Sequence, residues 1–334
     1  MRIAIVITVK NEARLLRQNL LYHLAIGVTH AFVYFDDTSD NGKDTISELN
    51  FVTISDSVKS ERYMDRPYLN KFTSKAKNHH TARQCLNTYD AFQQCKSLDI
   101  DWLISLDADE LVCTSNEKPS HLVSFLHRVP ENIDIVYMNT LEALSRKSAY
   151  MMVFAEETLF KTQPTFGGRF KNIVKRVYNP FTKSNVKYSY WFGQHMGKAA
   201  LRIASEIVPV NVHRYRMRDG SEPEHIRDGY ILHYHAYDIQ DFIKKFTNFA
   251  NRPNTFLSGN KVNSLKLLLR DVVNTSGMSQ QALGVYFEKN LMFNKNEVCR
   301  LQKNRYLWFF KRTLHPLREI TSVKKVFESK INTP

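Results

Sequence analysis

Two carboxylates one residue apart, Asp107 and Asp109, directly follow an apolar segment at positions 101–106. Acids at this spacing just past a buried strand can approach one hard divalent cation. Mg²⁺ and Mn²⁺ prefer oxygen ligands, and proteins often hold them through one or two carboxylates together with substrate phosphates. The pattern therefore predicts a metal site that also receives a phosphorylated ligand, with a solvated acidic turn as the alternative.

Two other types of acidic site fit the sequence less well. A phosphatase of the haloacid-dehalogenase type also uses an aspartate nucleophile at a strand end, but its motif continues with Thr or Val where Glu110 stands here. Residues 37–48 nearly match the EF-hand calcium loop, but Ser39 breaks the pattern and a strand precedes it. A strand-end aspartate that contacts a ribose or a base fits this context better.

The elements around these acids follow a strand–helix–strand order. Residues 3–9 and 31–35 are nearly continuous apolar runs and predict buried strands. The leucines between them have helical spacing, so the unit is a parallel pair joined by a right-handed crossover. Because ligands bind outside the carboxyl ends of strands in open α/β sheets, four strand-end acids should converge on one crevice: Asp36, Asp37, Asp107 and Asp109.

The basic charge is concentrated in two segments. The chain has 334 residues with a net charge of +14, and its 43% hydrophobic and 24% charged residues exclude disorder and collagen-like folds. Residues 158–205 contain no acid, and residues 295–334 are strongly basic. Such an excess suits nucleic acid, an anionic membrane or a phosphorylated ligand, but nucleic-acid-binding signatures are missing from the sequence. We therefore predict one patch for anionic sugar substrates and, where aromatics and cations mix at 304–312, a tail for a membrane face.

The cysteines and the N-terminus predict a compartment. None of the four cysteines forms a CxxC pair, which favours a reducing interior over a disulfide framework. The first residues do not resemble a signal peptide, and no window reaches the ~20 apolar residues of a membrane span. The expectation is a cytoplasmic protein, peripheral on the inner face of the membrane.

Three ordered segments carry a resemblance to a known family. Val9-Lys10-Asn11-Glu12, residues 27–42 and residues 102–110 together resemble the glycosyltransferase family 2-like group and the related family 92. The resemblance implies a GT-A fold, which is a Rossmann-like, mostly parallel α/β sheet flanked by helices, a nucleotide-sugar donor such as a UDP-sugar, and Mn²⁺ or Mg²⁺. By motif position it implies donor contacts from Thr8, Asn11, Glu12, Asp36 or Asp37 and Asp107, and a metal bound by Asp107 and Asp109.

Further candidates come from outside these segments. Arg83, on the helix before the acidic strand, and Lys198, in the basic segment, are candidates for donor binding, with a solvated surface as the alternative. His213 and His233 each end an apolar stretch, and a neutral imidazole there could complete a metal shell. The positional resemblance favours His233, and His235 shares its face if the segment is a strand.

The mechanism that the resemblance implies is inverting transfer, in which a base takes the proton of the acceptor hydroxyl. The candidates for this base are Glu142, His195 and Glu222, with Glu224 and Asp228 in the same charged loop. The expected function is a hexosyltransferase that acts on a glycan or lipid-linked glycan in surface polysaccharide or lipopolysaccharide assembly. The alternatives are a basic nucleic-acid-binding protein and a sugar nucleotidyltransferase, although the latter usually has a glycine-rich loop after the first strand.

The pattern along the chain predicts two regions. Residues 1–250 form the catalytic domain, with a nucleotide-sugar-binding half at 1–112 and an acceptor half at 113–250. Residues 251–334 form a basic C-terminal region that is mostly helical.

Overall fold

The computed structural model describes residues 1–162, 180–181, 196–257, 259–262, 264–275, 277–303 and 315–331. Its strands are β1 (Ile3–Val9), β2 (His30–Phe35), β3 (Val52–Asp56), β4 (Trp102–Leu106), β5 (Glu110–Cys113), β6 (Ile135–Ala143), β7 (Leu159–Lys161), β8 (Lys198–Arg202), β9 (Ile207–Asn211), β10 (Arg214–Met217), β11 (His225–His233) and β12 (Leu317–Glu319). Its α-helices are α1 (Ala13–Ala25), α2 (Asn70–Thr73), α3 (His80–Ser97), α4 (Leu122–His127), α5 (Val153–Glu156), α6 (Ile239–Asn248), α7 (Ser264–Asn274), α8 (Gln280–Asn290), α9 (Lys295–Lys303) and α10 (Ser322–Val326). Short 3₁₀ turns lie at Asp44–Ile46, Ser60–Tyr63 and Pro67–Leu69, and a π-helical turn at Phe327–Ile331 follows α10.

One large sheet positions the strand ends. Its order is β12-β7-β6-β8-β4-β1-β2-β3, and β11 pairs with both β5 and β6. The half that runs from β4 to β3 is entirely parallel, and β11 lies parallel to β6. Antiparallel pairings connect β8, β5, β7 and β12 to the sheet. The predicted α/β class is confirmed.

The continuous apolar run of β1 follows from burial on both faces. Every residue of β1 is buried. Ile3, Ile5 and Ile7 pack in the hydrophobic cluster that contains α1, whereas Ala4 and Val6 pack in the cluster that contains α3. Because helices cover both faces, the strand shows no alternation of polar and apolar residues. The parallel half of the sheet is therefore a rigid base for the loops at its carboxyl end.

The C-terminal region divides into two parts. Helices α7 and α8 pack beside α6 through a separate apolar cluster. The last described segment instead returns to the large sheet, where β12 pairs with β7. Phe327 is fully buried, and its ring stacks on Tyr22 at 5.9 Å and on Phe154 at 6.3 Å. The described residues after position 250 thus include three helices beside or beyond α6, and the last described segment belongs to the main core.

The predicted membrane-facing tail at 304–312 lies outside the described residues. Among the residues that the structure describes, no helix combines the length and the apolar character that crossing a bilayer requires. Helix α9 begins at Lys295 and is described as far as Lys303.

A buried histidine of α1 makes the stability of this half of the fold depend on pH. His23 is fully buried; its Nε2 accepts a hydrogen bond from the backbone N–H of Val112, so Nδ1 carries the proton and donates to the carbonyl of Asn19. Burial lowers its pKa from 6.5 to about 4. Between these values the unfolded chain takes up a proton that the folded chain does not, so His23 stabilises the fold above pH 6.5 and this contribution is lost as pH falls to 4.

We expect the stability advantage of the wild type over His23→Gln to fall by roughly 3 kcal/mol between pH 7 and pH 4. Denaturant unfolding of both proteins at several pH values measures this difference, and other titrating groups cancel in the comparison. An advantage that stays constant across the range would show that His23 is not held neutral in the fold.

Candidate functional site

The register of three strands creates the site. His233 at the end of β11 pairs with Glu110 of β5 on one side and with Glu142 of β6 on the other. The next residue, Tyr234, donates its backbone N–H to the carbonyl of Asp109 at 2.9 Å. The loop that follows β4 is thereby fastened to the end of β11, although more than 120 residues separate them in sequence.

Three side chains at this junction can hold a metal ion. Ligand atoms of Asp109, His233 and His235 all lie within 4.8 Å of one another. Asp109 and His233 are 5% and 6% exposed, so the ligands are fixed by their surroundings. Carboxylate oxygen suits Mn²⁺, and neutral imidazole is the commonest metal ligand in proteins, so this mixed set can hold a divalent transition-metal ion. The donor set fits the expected cofactor, and it includes both histidines of the pair that the sequence suggested as competitors.

Asp107 lies beside this cluster and has other partners. Its Oδ2 is 2.9 Å from Nζ of Lys198, and its Oδ1 accepts a hydrogen bond from Gln84 at 2.6 Å. Lys198 also lies 3.2 Å from Glu110, whose carboxylate in turn accepts the backbone N–H of Asp107. Lys198 is fully buried, so it neutralises the carboxylates of the acidic motif from the interior of the protein.

The charges of the metal-capable cluster stabilise one another. Burial opposes the ionisation of Asp109, but Lys245 and His233 outweigh it and hold the pKa of Asp109 well below its usual range. Burial likewise opposes the charge on His233, but the carboxylates of Asp109 and Glu142 outweigh burial and raise its pKa to about 9. Lys161 lies 3.0 Å from the other side of Glu142. A chain of alternating charges therefore runs from Lys161 to Asp109.

Helix α6 adds cations that the sequence did not single out. Lys245 contacts Asp109 directly and lies 3.7 Å from Asp241. Lys244 lies 2.7 Å from Glu12 and 2.8 Å from Asp241. Burial raises the pKa of Glu12 to about 7, although Lys244 opposes this shift. The amphipathic pattern of α6 predicts the helix, but only the folded chain shows that its lysines reach the acidic crevice.

The expected nucleotide-binding residues fall into two groups. Asp36 accepts hydrogen bonds from Nε and Nη2 of Arg83 at 2.5 and 2.9 Å, from His80 at 2.5 Å and from Ser57 at 2.9 Å. Burial disfavours its charge, but His80 and Arg83 outweigh burial and hold the pKa of Asp36 below its usual range. The candidates Asp36 and Arg83 thus bind each other. Together they stabilise the conformation of the chain at the carboxyl end of β2.

Asp37 differs from Asp36 because it is exposed. Its backbone has a φ of 55°, and its carboxylate lies 2.6 Å from Lys10. A recess of about 450 Å³ opens beside it at the ends of β2 and β3. The lining residues are Phe35, Asp37, Thr38, Asp40, Lys43, Asp56 and Ser57.

Thr8 and Asn11 lie at the end of β1. Thr8 accepts a hydrogen bond from Asn87 at 3.0 Å. Asn11 has a φ of 56°; it accepts the backbone N–H of Ser39 at 2.8 Å and donates to Asn248 of α6 at 3.1 Å. The β1–α1 loop therefore connects the end of β2 with α6.

The candidate bases are placed apart. Glu142 is 1% exposed and lies between Lys161 and His233. Glu222 is exposed and lies near Tyr137, in the half of β6 remote from Glu142. His195 lies outside the described residues.

His213 lies near the acidic motif, whereas Arg202 of the basic segment lies at the opposite end of β4. His213 contacts the carbonyl of Gly197 at 2.9 Å, and burial, with help from Lys198, lowers its pKa to about 3. Arg202 binds the carbonyls of Ile133 and Pro130 and stacks on Trp102. Four basic residues of the segment 158–205, for which we predicted a patch for anionic sugar substrates, lie outside the described residues: Arg169, Lys171, Lys175 and Arg176.

In open α/β sheets ligands bind outside the carboxyl ends of the strands, which is where this chain gathers its carboxylates and imidazoles. The chain belongs to glycosyltransferase family 92, because the model of that family matches residues 6–261. The match includes all three members of the metal-capable cluster. The family resemblance drawn from the sequence motifs is confirmed.

Two proteins of Arabidopsis thaliana, both described as glycosyltransferase-like, are similar to this chain. One is 24% identical over 249 residues, which cover 70% of this chain and 53% of the relative. The other is 22% identical over 226 residues, which cover 64% of this chain and 43% of the relative. The chain thus spans about half the length of the curated relatives that it matches.

Solved structures show more distant likenesses. TarS from S. aureus is 10% identical with a TM-score of 0.37, over 87% of this chain and 81% of that chain. Glucosyl-3-phosphoglycerate synthase from Mycobacterium tuberculosis, solved with Mn²⁺, UDP and phosphoglyceric acid, is 12% identical with a TM-score of 0.31, over 75% of this chain and 79% of that chain. Likenesses at this level carry no argument about the substrate of the present chain.

Proposed function

We propose that the protein is a metal-dependent, inverting GT-A glycosyltransferase that transfers a sugar from a UDP-sugar to a glycan or lipid-linked glycan. The observation that carries this proposal is the meeting of Asp109, His233 and His235 at the carboxyl ends of the strands, in a chain of glycosyltransferase family 92. In open α/β sheets this edge is where ligands bind. Residues 1–112 would bind the donor, and residues 113–250 the acceptor.

The three ligands would hold Mn²⁺ or Mg²⁺, which when bound neutralises the charge that develops on the leaving diphosphate. Glu142 would act through His233: it faces Nδ1 at 3.7 Å, so Nε2 is directed toward Asp109. A histidine ligand is commonly oriented in this way by a carboxylate behind it. In this assignment Glu142 is a positioning residue, and Lys161 keeps it ionised.

The nucleoside would lie across the ends of β1 and β2. Exposed Asp37 beside the recess at the ends of β2 and β3 offers a carboxylate for ribose hydroxyls or a base. Asn11 and Thr8 line the neighbouring strand end, while the Asp36–Arg83 pair would hold the shape of this end. The acceptor would belong to surface polysaccharide or lipopolysaccharide assembly at the cytoplasmic face of the membrane.

A donor panel tests the proposal. The purified chain is incubated with UDP-, GDP- and CMP-sugars, and release of the free nucleotide is followed with Mn²⁺, with Mg²⁺ and with EDTA. We expect slow hydrolysis of at least one UDP-sugar with metal, its loss with EDTA and its recovery when Mn²⁺ is restored. If no donor binds or turns over, with or without metal, the proposed function is wrong.

A further inference from the structure

The carboxylate of Asp109 is already paired with an ammonium group of the protein. The ammonium of Lys245 contacts Oδ2 of Asp109, and Nε2 of His233 lies 3.3 Å from the same oxygen. Asp109 is the carboxylate of the metal-capable cluster. An ammonium and a divalent ion cannot share one carboxylate oxygen closely, because their repulsion in a poorly solvated site amounts to several kcal/mol.

Lys245 has a second anion within reach. Asp241 lies one helical turn earlier on α6, with its nearest oxygen 3.7 Å from Nζ of Lys245. The side chain of Asp241 is only 1% exposed, and the side chain of Lys245 is 18% exposed. A buried ammonium without an anion is costly. This ammonium can move from Asp109 toward Asp241 and remain beside a carboxylate throughout.

The helix that carries both residues is fixed, so a rotation of the side chain is sufficient. Asp238 caps α6 by accepting the backbone N–H of Asp241, and it forms a two-point ion pair with Arg14 of α1. Lys244 joins the same helix to Glu12. These contacts hold the backbone of α6 against α1, so a change of partner by Lys245 needs only a rotation of its long side chain.

We propose that Lys245 is a resident cation that competes with the divalent ion for Asp109, and that Asp241 is the position to which its ammonium moves when the ion binds. This inference rests on the metal site of the proposed function. In the metal-free protein Lys245 compensates the charge of Asp109. In the metal-bound protein Asp241 takes over Lys245, which leaves the oxygen of Asp109 to the ion.

A double-mutant cycle on Mn²⁺ binding tests the exchange, with affinity measured by calorimetry or by the electron paramagnetic resonance of free Mn²⁺. Lys245→Met should bind Mn²⁺ at least about tenfold more tightly than the wild type, and Asp241→Asn about tenfold more weakly, because a tenfold change corresponds to only 1.4 kcal/mol. In the Lys245→Met background, Asp241→Asn should change the affinity less than about twofold. This loss of effect separates the exchange from simple charge arithmetic, in which both substitutions act independently.

Each outcome of the cycle either supports or overturns the exchange of Lys245 between Asp109 and Asp241. An equal effect of Asp241→Asn in both backgrounds, or equal Mn²⁺ affinity for the wild type and Lys245→Met, would overturn the exchange and leave the proposed metal site intact. No Mn²⁺ binding by any of the four proteins would overturn both. Lys245→Gln serves as the second variant if Lys245→Met does not fold, and Lys147→Met, which removes an exposed lysine paired with Glu156, should bind Mn²⁺ like the wild type.

Discussion

Asp109→Asn is expected to reduce metal-dependent turnover of the donor roughly a thousandfold. Asp109 is the only carboxylate of the metal-capable cluster, and the substitution keeps its shape while removing its charge. Loss of the ion's stabilisation of a leaving diphosphate costs several kcal/mol, and each 1.36 kcal/mol is a factor of ten in rate. The measurement is nucleotide release from the best donor of the panel, at saturating Mn²⁺, together with the Mn²⁺ affinity of the variant.

Two further variants serve as comparisons for Asp109→Asn. Asp65→Asn removes an exposed carboxylate that lies beside Arg66 on the surface, and it should leave turnover unchanged. Asp107→Asn disturbs the pairing with Lys198 and Gln84 but leaves the three members of the metal-capable cluster unchanged. If Asp109→Asn retained full metal-dependent activity while Asp107→Asn lost Mn²⁺ binding, the ion would have to be assigned to Asp107 instead.

Lys198→Met is expected to destabilise the fold by about 3–5 kcal/mol at pH 7. The substitution leaves the carboxylates of Asp107 and Glu110 without the ammonium that lies 2.9 and 3.2 Å away, and removal of one partner from a buried ionic group is costly in this range. Burial already raises the pKa of Glu110 to about 7 against the pull of Lys198. Without Lys198 that carboxyl should be protonated in the folded state.

The stability lost in Lys198→Met should depend on pH, because the pKa of Glu110 is raised in the folded state. A carboxyl whose folded pKa is raised binds its proton more tightly in the folded state than in the unfolded one, so its contribution becomes more favourable as pH falls toward 4.5. In the wild type the same carboxyl is protonated only below about pH 7, so the stability lost in Lys198→Met should shrink as pH falls from roughly 9 toward 7 in denaturant unfolding. Lys96→Met, which breaks an exposed pair with Glu206, should cost less than about 1 kcal/mol. A deficit that is equally small for both variants would show that Lys198 is not a required counter-ion.

The parallel half of the fold could be predicted because its signals are local. A fully apolar β1, a helical leucine pattern and acids directly after two strands each lie within a few residues. Topology alone then placed Asp36 and Asp109 at the same edge of the sheet. The family motifs lie in this half too, so the sequence also led to the family.

The partners of those residues could not be predicted from local patterns. Lys245 is 136 residues from Asp109 in sequence, and no spacing rule connects them. Lys198 carries the same formal charge as a surface lysine, and only the antiparallel pairing of β8 beside β4 and β6 buries it behind the acidic motif. His235 gave a signal, its spacing of two from His233, but the sequence offered no means to decide between one histidine and both.

The last described segment returns to the main sheet, so the cooperative unit of folding extends beyond the region that matches the family. The family match stops at residue 261, yet Ile320, Val323, Val326 and Phe327 are all part of the cluster that contains α1 and β1. A boundary of sequence similarity is therefore not a boundary of stability in this chain. The segment 317–331 therefore contributes to the free energy that holds the main sheet and its helices together, although it lies beyond the residues that match the family.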